Sequence, residues 1–467
     1  MPKKKVYEAV TITDFASEGK CIYKSETDGI IFVEGKVAPG DVVDLEVYRK
    51  KKSYQEARVT RIHEFSALRT TPFCEHFEIC GGCRWQNIRY EEQLRFKEQQ
   101  VRDHLERIGK VQDLHMLPIV AADRQQYYRN KLEFTFSDSR WLTSDEIRSG
   151  EALSRNALGF HIPKRFDKVF AVRKCQLQPD PSNEIRNELH AWAEKEDPDY
   201  YDLRNNKGFL RNLIIRTANT GEIMVIVQVA QPDENRTSRV MEFLRQKFPE
   251  ITSLYYIVNQ KGNDSYQDQV PVHYHGARAI REEMEGLTFM VGPKSFYQTN
   301  SDQAYRLYEV ARSFAELTGN ELVYDLYTGT GTIANFVAKF ANKVIGVEYV
   351  EEAVADARVN SQINNVFNTR FWAGDMKEVL TGAFLDQHGR PDVMITDPPR
   401  AGMDAPVIDV MLNAAPERIV YVSCNSATQA RDIQMLSGMY RVEKVQPVDM
   451  FPNTHHVESV ALLKKYD

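Results

Sequence analysis

Cys424 stands in Ser423-Cys424-Asn425-Ser426, directly after the apolar run Arg418-Ile419-Val420-Tyr421-Val422. A thiol at the carboxyl edge of a strand occupies the place where open α/β sheets do chemistry. Two other strand-like runs carry a glycine-rich loop, Asp325-Leu326-Tyr327-Thr328-Gly329-Thr330-Gly331-Thr332, and an acidic turn, Asp397-Pro398-Pro399-Arg400, to the same edge. A fourth brings Glu458, in Thr454-His455-His456-Val457-Glu458-Ser459-Val460. A nucleophile, a cofactor loop and a base suit attack on an electron-poor ring followed by alkyl transfer.

Uracil is such a ring. Its carbon 5 is too weakly nucleophilic to attack a sulfonium methyl directly, but a thiolate adding at carbon 6 makes an enolate whose carbon 5 can take the methyl group. The carbon-5 proton must then leave so that the thiol is expelled, and Glu458, opening the final apolar strand, is a candidate base. A lone cysteine is more often a buried structural residue. Ser-Cys-Asn after a strand, with Asp-Pro-Pro-Arg upstream and His-Val-Glu-Ser downstream, reverses that preference.

From about Phe289 the pattern alternates strands (Leu322 to Leu326, Lys343 to Glu348, Asp392 to Thr396, Arg418 to Val422) with helical stretches such as Glu351 to Asn360, which predicts a parallel, doubly wound α/β sheet. Glycines at 329 and 331 let backbone approach a ligand and turn sharply into a helix. The full GxGxxG is absent, which disfavours a dinucleotide. Glu348, ending the next strand, is suited to accept both ribose hydroxyls of a nucleoside, and Asp375, in Gly374-Asp375-Met376, to accept from an adenine amine. This layout resembles the class I S-adenosylmethionine-dependent methyltransferases. Arg400 stands where relatives that methylate exocyclic amines have an aromatic residue, which argues against amine methylation.

From Lys5 to about His63, short strands separated by Gly19, Gly29, Gly35 and Gly40 predict a small OB-type barrel. Arg49-Lys50-Lys51-Lys52 with Tyr48 and Tyr54 is either an RNA-gripping tip or a solvated hairpin. Charged helical sequence runs from Tyr90 to about Gly109, and a mixed region follows to about residue 288. In that region a hairpin is predicted around Asn219-Thr220-Gly221, and Asp197 to Tyr201 reads as a loop or insertion. The predicted domains are 1–64, a barrel; 65–288, a mixed α+β central part whose helical stretch near 90–118 packs with the catalytic domain; and 289–467, a Rossmann-like methyltransferase domain.

Six cysteines fall at 21, 74, 80, 83, 175 and 424. Clustered thiols in a large chain with no export signal point to metal rather than disulfides. Cys74-x5-Cys80-Gly81-Gly82-Cys83 places three thiols on one loop, with Cys175 the obvious fourth. Four thiolates suit zinc or a [4Fe-4S] cluster, and spacing alone does not choose between them. Cys21 is left over and reads as barrel core. Arg84, Trp85, Arg89, Tyr90, Tyr127, Tyr128, Arg129 and Lys131 cluster densely enough to suit single-stranded RNA, each being equally able to support the fold. The net charge of -6 over 467 residues means that a nucleic acid would be held by local basic patches. No run approaches the roughly 20 apolar residues of a membrane span, and the basic start, Met1 to Lys5, continues into strand-like sequence, so a cytoplasmic protein is expected.

Taken together, these motifs resemble the RNA uracil-C5 methyltransferases, over almost the whole chain. The resemblance implies that Cys424 is the nucleophile and Glu458 the proton acceptor; that Gln298, Tyr327, Thr332, Glu348 and Asp375 contact S-adenosylmethionine; and that Asp397 sits between cofactor and target base. Phe296 matches an aromatic position near the flipped nucleotide, a core phenylalanine being the competing reading. The barrel resembles a TRAM domain. The cysteine spacing matches the 23S ribosomal RNA branch, whose cluster is iron–sulfur, whereas simple transfer RNA members lack both barrel and cluster. A TRAM-type barrel and a [4Fe-4S] cluster on Cys74, Cys80, Cys83 and Cys175 are therefore expected, with 23S ribosomal RNA as the partner, no obligate protein partner and a monomeric chain. Ser426 departs from the proline that many relatives carry. The rival readings are a transfer RNA (uracil-5-)-methyltransferase, a non-catalytic RNA-binding or ribosome-assembly factor, and an RNA cytosine-C5 methyltransferase, which would carry a further cysteine near Asp397.

Overall fold

The computed structural model describes residues 5–16 and 19–466, so the lysine-rich start at 1–4 lies outside the described residues. At the N-terminus, β1 (Val6–Thr11), β2 (Asp14–Phe15), β3 (Cys21–Ser25), β4 (Gly29–Glu34), β5 (Val42–Lys50) and β6 (Gln55–Glu64) form one sheet in the order β1-β5-β6-β4-β3-β2. Its two edge strands are consecutive in the chain, joined by Ile12 and Thr13, so the sheet curls back onto its own start. Period-two alternation turns Ile31, Val33, Val43 and Leu45 inward. Cys21 joins this core, its thiol donating to the Val37 carbonyl at 3.1 Å.

In the middle of the chain, β7 (Lys131–Ser137), β8 (Ala157–Ile162), β9 (Arg165–Ala171), β10 (Leu210–Thr217), β11 (Ile223–Val229), β12 (Ser253–Val258) and β13 (Val272–Gly276) make a seven-stranded sheet, β13-β12-β11-β10-β7-β8-β9. The hairpin predicted around Asn219-Thr220-Gly221 is β10 to β11, antiparallel with Thr217 opposite Ile223. Helices Ser182–Glu196 and Glu234–Lys247 pack Ile185, Leu189, Val240 and Leu244 against one face of it. Asp197 to Tyr201 is not a protruding insertion: Tyr200 and Tyr201 are buried, and the segment pairs with β10.

After a hairpin of β14 (Ile280–Met284) and β15 (Leu287–Val291), the third sheet comprises β16 (Leu322–Leu326), β17 (Lys343–Glu348), β18 (Thr369–Ala373), β19 (Val393–Thr396), β20 (Arg418–Ser423), β21 (Tyr440–Val448) and β22 (Glu458–Lys465). Their order is β18-β17-β16-β19-β20-β22-β21. The first five run parallel, as the strand–helix alternation predicts, and β22 is antiparallel to β20. The order reverses between β16 and β19, which opens a crevice at their carboxyl ends, where ligands of such sheets bind. Helix Tyr90–Arg107 belongs structurally to this domain. Its Lys97 forms a fully buried ion pair with Asp449 at 2.5 Å, and His104 bonds Ser426 at 2.8 Å.

Candidate active site

Strand register brings the thiol and the carboxylate together. In the antiparallel pair β20–β22, Ser423 lies opposite Ser459, so the next residue outward on each strand puts Cys424 across from Glu458. β19 lies alongside β20, and its next residue is Asp397, whose amide donates to the Leu326 carbonyl of β16 at 3.4 Å. Three strand ends therefore deliver Cys424, Glu458 and Asp397 to one edge.

Cys424 is half-buried and immediately precedes Asn425, the N-cap of helix Ser426–Leu436, whose side chain accepts from the Ala427 amide at 3.1 Å. The positive end of that helix favours a thiolate. Burial opposes it, and so do the charges of Glu458 and Asp397, so that the thiol is pushed up to about 11, with Arg400 acting the other way. Glu458 is buried; burial and the Asp397 charge push its carboxyl up to about 8, again against Arg400. Burial alone pushes Asp397 up to about 7. Burial thus makes ionisation of both acids costly, and for Glu458 the Asp397 charge adds to that cost.

Arg400 holds the edge together. Its carbonyl accepts from Asn425 Nδ2 at 3.1 Å and from Thr428 Oγ1 at 3.2 Å, and its guanidinium donates to His456 Nδ1 at 2.7 Å. The acidic turn, the thiol loop and the segment leading into Glu458 are thus tied through one residue. Burial first, then the neighbouring His455 ring and cations, push His456 down to about 3, so it accepts that bond as a neutral ring.

Beside this edge the glycine loop adopts the predicted close-approach geometry. Tyr327, Gly329 and Gly331 all have positive φ (60°, 54° and 75°). A Cβ on Gly331 would lie 2.8 Å from the Ala357 Cβ, whereas nothing lies within 4 Å of one built on Gly329, so the backbone there faces open space. Glu348 shapes the loop through bonds from the Gly329 amide (3.1 Å) and the Val350 amide (3.0 Å). Burial, then the charges of Asp404, Asp375, Asp432 and Glu348, push the Tyr327 phenol up to about 12. Asp375 caps the next helix through the Lys377 amide at 3.2 Å. Thr332 opens helix Thr332–Ala338, its hydroxyl 3.3 Å from that of Thr330. Gln298 is mostly buried, with its backbone carbonyl accepting from Asn130 Nδ2 at 2.9 Å. The loop can therefore receive a nucleoside whose hydroxyls meet Glu348.

Phe296 is 67% exposed, which overturns the core reading and leaves its ring free to meet a ligand. Other aromatic residues go the opposite way. Trp85 is buried, 4.6 Å from the Phe15 ring, and Tyr128 is buried with its hydroxyl donating to the Pro452 carbonyl at 3.0 Å, so neither is a surface platform for bases. Tyr54 packs edge-on against Phe32. Two residues of the site were not singled out from sequence as catalytic or binding residues. One is Arg400, and the other is Asp325, a buried acid beneath the glycine loop that accepts from Thr328 Oγ1 and is pushed up to about 7, chiefly by burial. The signal for Asp325 was present: an acid inside the otherwise apolar β16.

Cys74, Cys80, Cys83 and Cys175 gather on one side of the central sheet's core, near enough for their charges to act on one another. Burial raises all four thiols, while Lys36, Arg129 and Arg186 act in the opposite sense on individual members. Gln86 accepts from the Cys74 amide at 3.1 Å, and Asn183 accepts from the Cys175 amide at 2.7 Å. Among the described residues, however, no three Cys, His, Asp or Glu side chains are drawn together as a metal-ion site. Four thiols are the donor set of a structural zinc or of a [4Fe-4S] cluster, and the donor set alone does not choose between the two.

Comparison with known proteins places this geometry. Residues 281–466 match the family model described as tRNA (Uracil-5-)-methyltransferase. A protein of Bacteroides thetaiotaomicron described as an uncharacterized RNA methyltransferase is 57% identical over 454 residues, covering 96% of this chain and 99% of its own. Another so described, from Chlorobaculum tepidum, is 38% identical over 464 residues, covering 98% and 96%. Among solved structures, the Pyrococcus abyssi tRNA (uracil-54, C5)-methyltransferase in complex with S-adenosyl-L-homocysteine superposes with a TM-score of 0.74 at 28% identity, covering 97% of this chain and 99% of that one.

Proposed function

This chain belongs to the S-adenosylmethionine-dependent RNA (uracil-5-)-methyltransferase family, and on that premise we propose that it methylates carbon 5 of a uridine in 23S ribosomal RNA through a covalent adduct on Cys424. The observation that carries the reading is the opposition of Cys424 and Glu458 across β20–β22, beside Asp397 and the open glycine loop.

The Cys424 thiolate adds to carbon 6, and the ring electrons move toward carbon 5 and the carbonyl oxygen of the enolate. Carbon 5 attacks the sulfonium methyl carbon, the S–CH3 bond breaks, and the sulfur leaves with its electrons as neutral S-adenosylhomocysteine. The Glu458 carboxylate then takes the carbon-5 proton, and the electrons of that C–H bond restore the double bond as Cys424 departs. Arg400 lowers the cost of both anions. Asp397 stands between cofactor and base, and Gln298, Tyr327, Thr332, Glu348 and Asp375 hold the cofactor. The target uridine must leave its stack at a cost of ~3 kcal/mol, offset by RNA contacts, and exposed Phe296 is the platform for it.

Cys424→Ala is expected to abolish turnover, by at least ~10⁴-fold, while RNA binding is retained. Residual tritium release from 5-tritiated uridine RNA would reject the covalent route. Glu458→Gln is expected to trap the methylated adduct as a denaturant-resistant protein–RNA band, and an absent band removes Glu458 as the base. We also propose that Cys74, Cys80, Cys83 and Cys175 hold a [4Fe-4S] cluster, which when bound cross-links two distant stretches of the central domain. Iron and acid-labile sulfide in anaerobically purified protein test this, and zinc alone overturns it.

A second substrate reading is transfer RNA, favoured by one observation. The Pyrococcus abyssi enzyme is named for transfer RNA and is covered almost completely, N-terminal sheet included, so that sheet does not by itself select ribosomal RNA. Mapping 5-methyluridine by mass spectrometry in both RNAs from wild-type and deletion strains separates the two.

A further inference from the structure

One stretch of the central domain touches both the segment around Gln298 and the turn that leads to Glu458. At its far end, Asn130 is held on three groups: its amide donates to the Thr299 carbonyl (3.0 Å), its carbonyl accepts from the Thr217 amide (2.8 Å), and its side-chain Nδ2 donates to the Gln298 carbonyl and the Ser301 hydroxyl, both at 2.9 Å. The Ser301 hydroxyl in turn donates to buried Glu282 Oε1 at 3.0 Å. Two residues earlier, Tyr128 donates to the Pro452 carbonyl (3.0 Å) and the Arg129 guanidinium lies 5.0 Å over the Phe451 ring, on the turn that leads to Glu458. The Gln125 carbonyl accepts from Asn453 on that same turn at 3.1 Å. On its other side the stretch is laced to the chain following Cys175, through the Tyr127 amide to the Gln176 carbonyl (2.8 Å) and the Arg129 amide to the Leu177 carbonyl (2.7 Å).

We propose that Gln125–Asn130 is a strut that couples the thiol-bearing domain to methyl transfer, with Asn130 as the positioning residue for the cofactor-side segment around Gln298 and Tyr128 as the positioning residue for the turn that carries Glu458. This rests on the cofactor and base roles proposed above. Neither residue reaches the reacting atoms; each fixes a segment that does. A buried backbone carbonyl deprived of its donor relaxes toward another partner, and a displacement of about 1 Å is enough to cost two orders of magnitude in a tuned site.

Because the strut has two ends, its variants should split the kinetic constants in opposite ways. Asn130→Asp keeps the side-chain shape and deletes both donors. The expected result is a rise of about tenfold in the calorimetric Kd for S-adenosylhomocysteine and in KM for S-adenosylmethionine, with kcat at saturating cofactor changed less than about threefold. Tyr128→Phe, which removes only the hydroxyl, should lower kcat by about tenfold and leave the S-adenosylhomocysteine Kd within about twofold of wild type. A folded Asn130→Asp protein with wild-type Kd, or two variants that shift both constants alike, overturns the proposal. Should Asn130→Asp fail to fold, Asn130→Ser carries the same expectation, since its hydroxyl is too short to span both acceptors. Wild-type protein that fails to bind S-adenosylhomocysteine would count against the cofactor reading instead, which keeps the two failures distinct.

Discussion

Glu458 and Cys424 are a poor pair for stability and a useful one for chemistry. A carboxyl group pushed from its ordinary 4.5 to about 8 holds its proton in the folded chain over a pH range where the unfolded chain has released it. The stabilisation is therefore complete below about 4.5 and is lost as pH rises through about 8, where it amounts to at most ~5 kcal/mol. Glu458→Gln has no proton to lose. The variant should match wild type in thermal midpoint near pH 4.5 and exceed it by several degrees at pH 9; a difference that does not change with pH would mean that the carboxyl is not desolvated. At this scale much was legible in the sequence. Cys424, Glu458 and Asp397 could be identified because each ends or begins an apolar run, and strand ends are where parallel sheets present side chains to ligands. Arg400 was seen only as a residue that excludes one chemistry, since its bond to His456 spans 56 positions and no local pattern encodes it. Trp85 and Tyr128, which the sequence leaves open between RNA contact and fold support, are both buried: Trp85 packs against Phe15, and the Tyr128 hydroxyl finds the Pro452 carbonyl.

Elements explain how a departure from the common motif is accommodated. Many relatives have proline after Ser-Cys-Asn, a residue favoured at the first position of a helix because its fixed φ is already helical. Here Ser426 takes that place, and its buried hydroxyl bonds His104, from the last turn of helix Tyr90–Arg107, at 2.8 Å. The hydrogen bond replaces ring stiffness as the anchor of the thiol loop. His104→Ala leaves that hydroxyl unpaired, at ~1–3 kcal/mol, and should slow turnover and the alkylation of Cys424 by about tenfold. Adding Ser426→Pro should restore both to within about threefold of wild type; no recovery would show that helix packing, not this bond, holds the loop. Strands β16, β17 and β20 and the helix after Val350 were readable because parallel, doubly covered strands form short apolar runs between helical periods. The order of the central sheet was not, since β7 must find β10 some 80 residues later and register at that range is not written in composition.

At the scale of the whole molecule, an acidic chain of net charge -6 must bind a polyanion, so attraction has to be local. The β5–β6 hairpin of the curled N-terminal sheet offers it. Lys50, Lys51 and Lys52 are exposed, and the turn is closed by the Lys51 amide on the Tyr54 carbonyl at 2.9 Å, while Arg49 is partly spent on Glu56 at 3.4 Å. Tyr54 packs on Phe32, while Tyr48 at the same end stays exposed, so the tip contributes charge and one exposed ring. The N-terminal sheet is not a remote appendage: a Cβ on Gly19 would lie 2.8 Å from the Cβ of His455, beside the site. Cations carried on a body docked there enlarge the RNA footprint without entering the chemistry. Replacing Lys50, Lys51 and Lys52 with alanine should therefore flatten the slope of log K against log salt by up to ~2, at about 0.7 per phosphate contact on single strands. RNA affinity at low salt should fall, while kcat at saturating RNA and the S-adenosylhomocysteine Kd stay as they were. Filter binding across a salt series reads the slope directly. An unchanged slope would assign the phosphate contacts to the central domain and leave the N-terminal sheet a scaffold for the Glu458 turn.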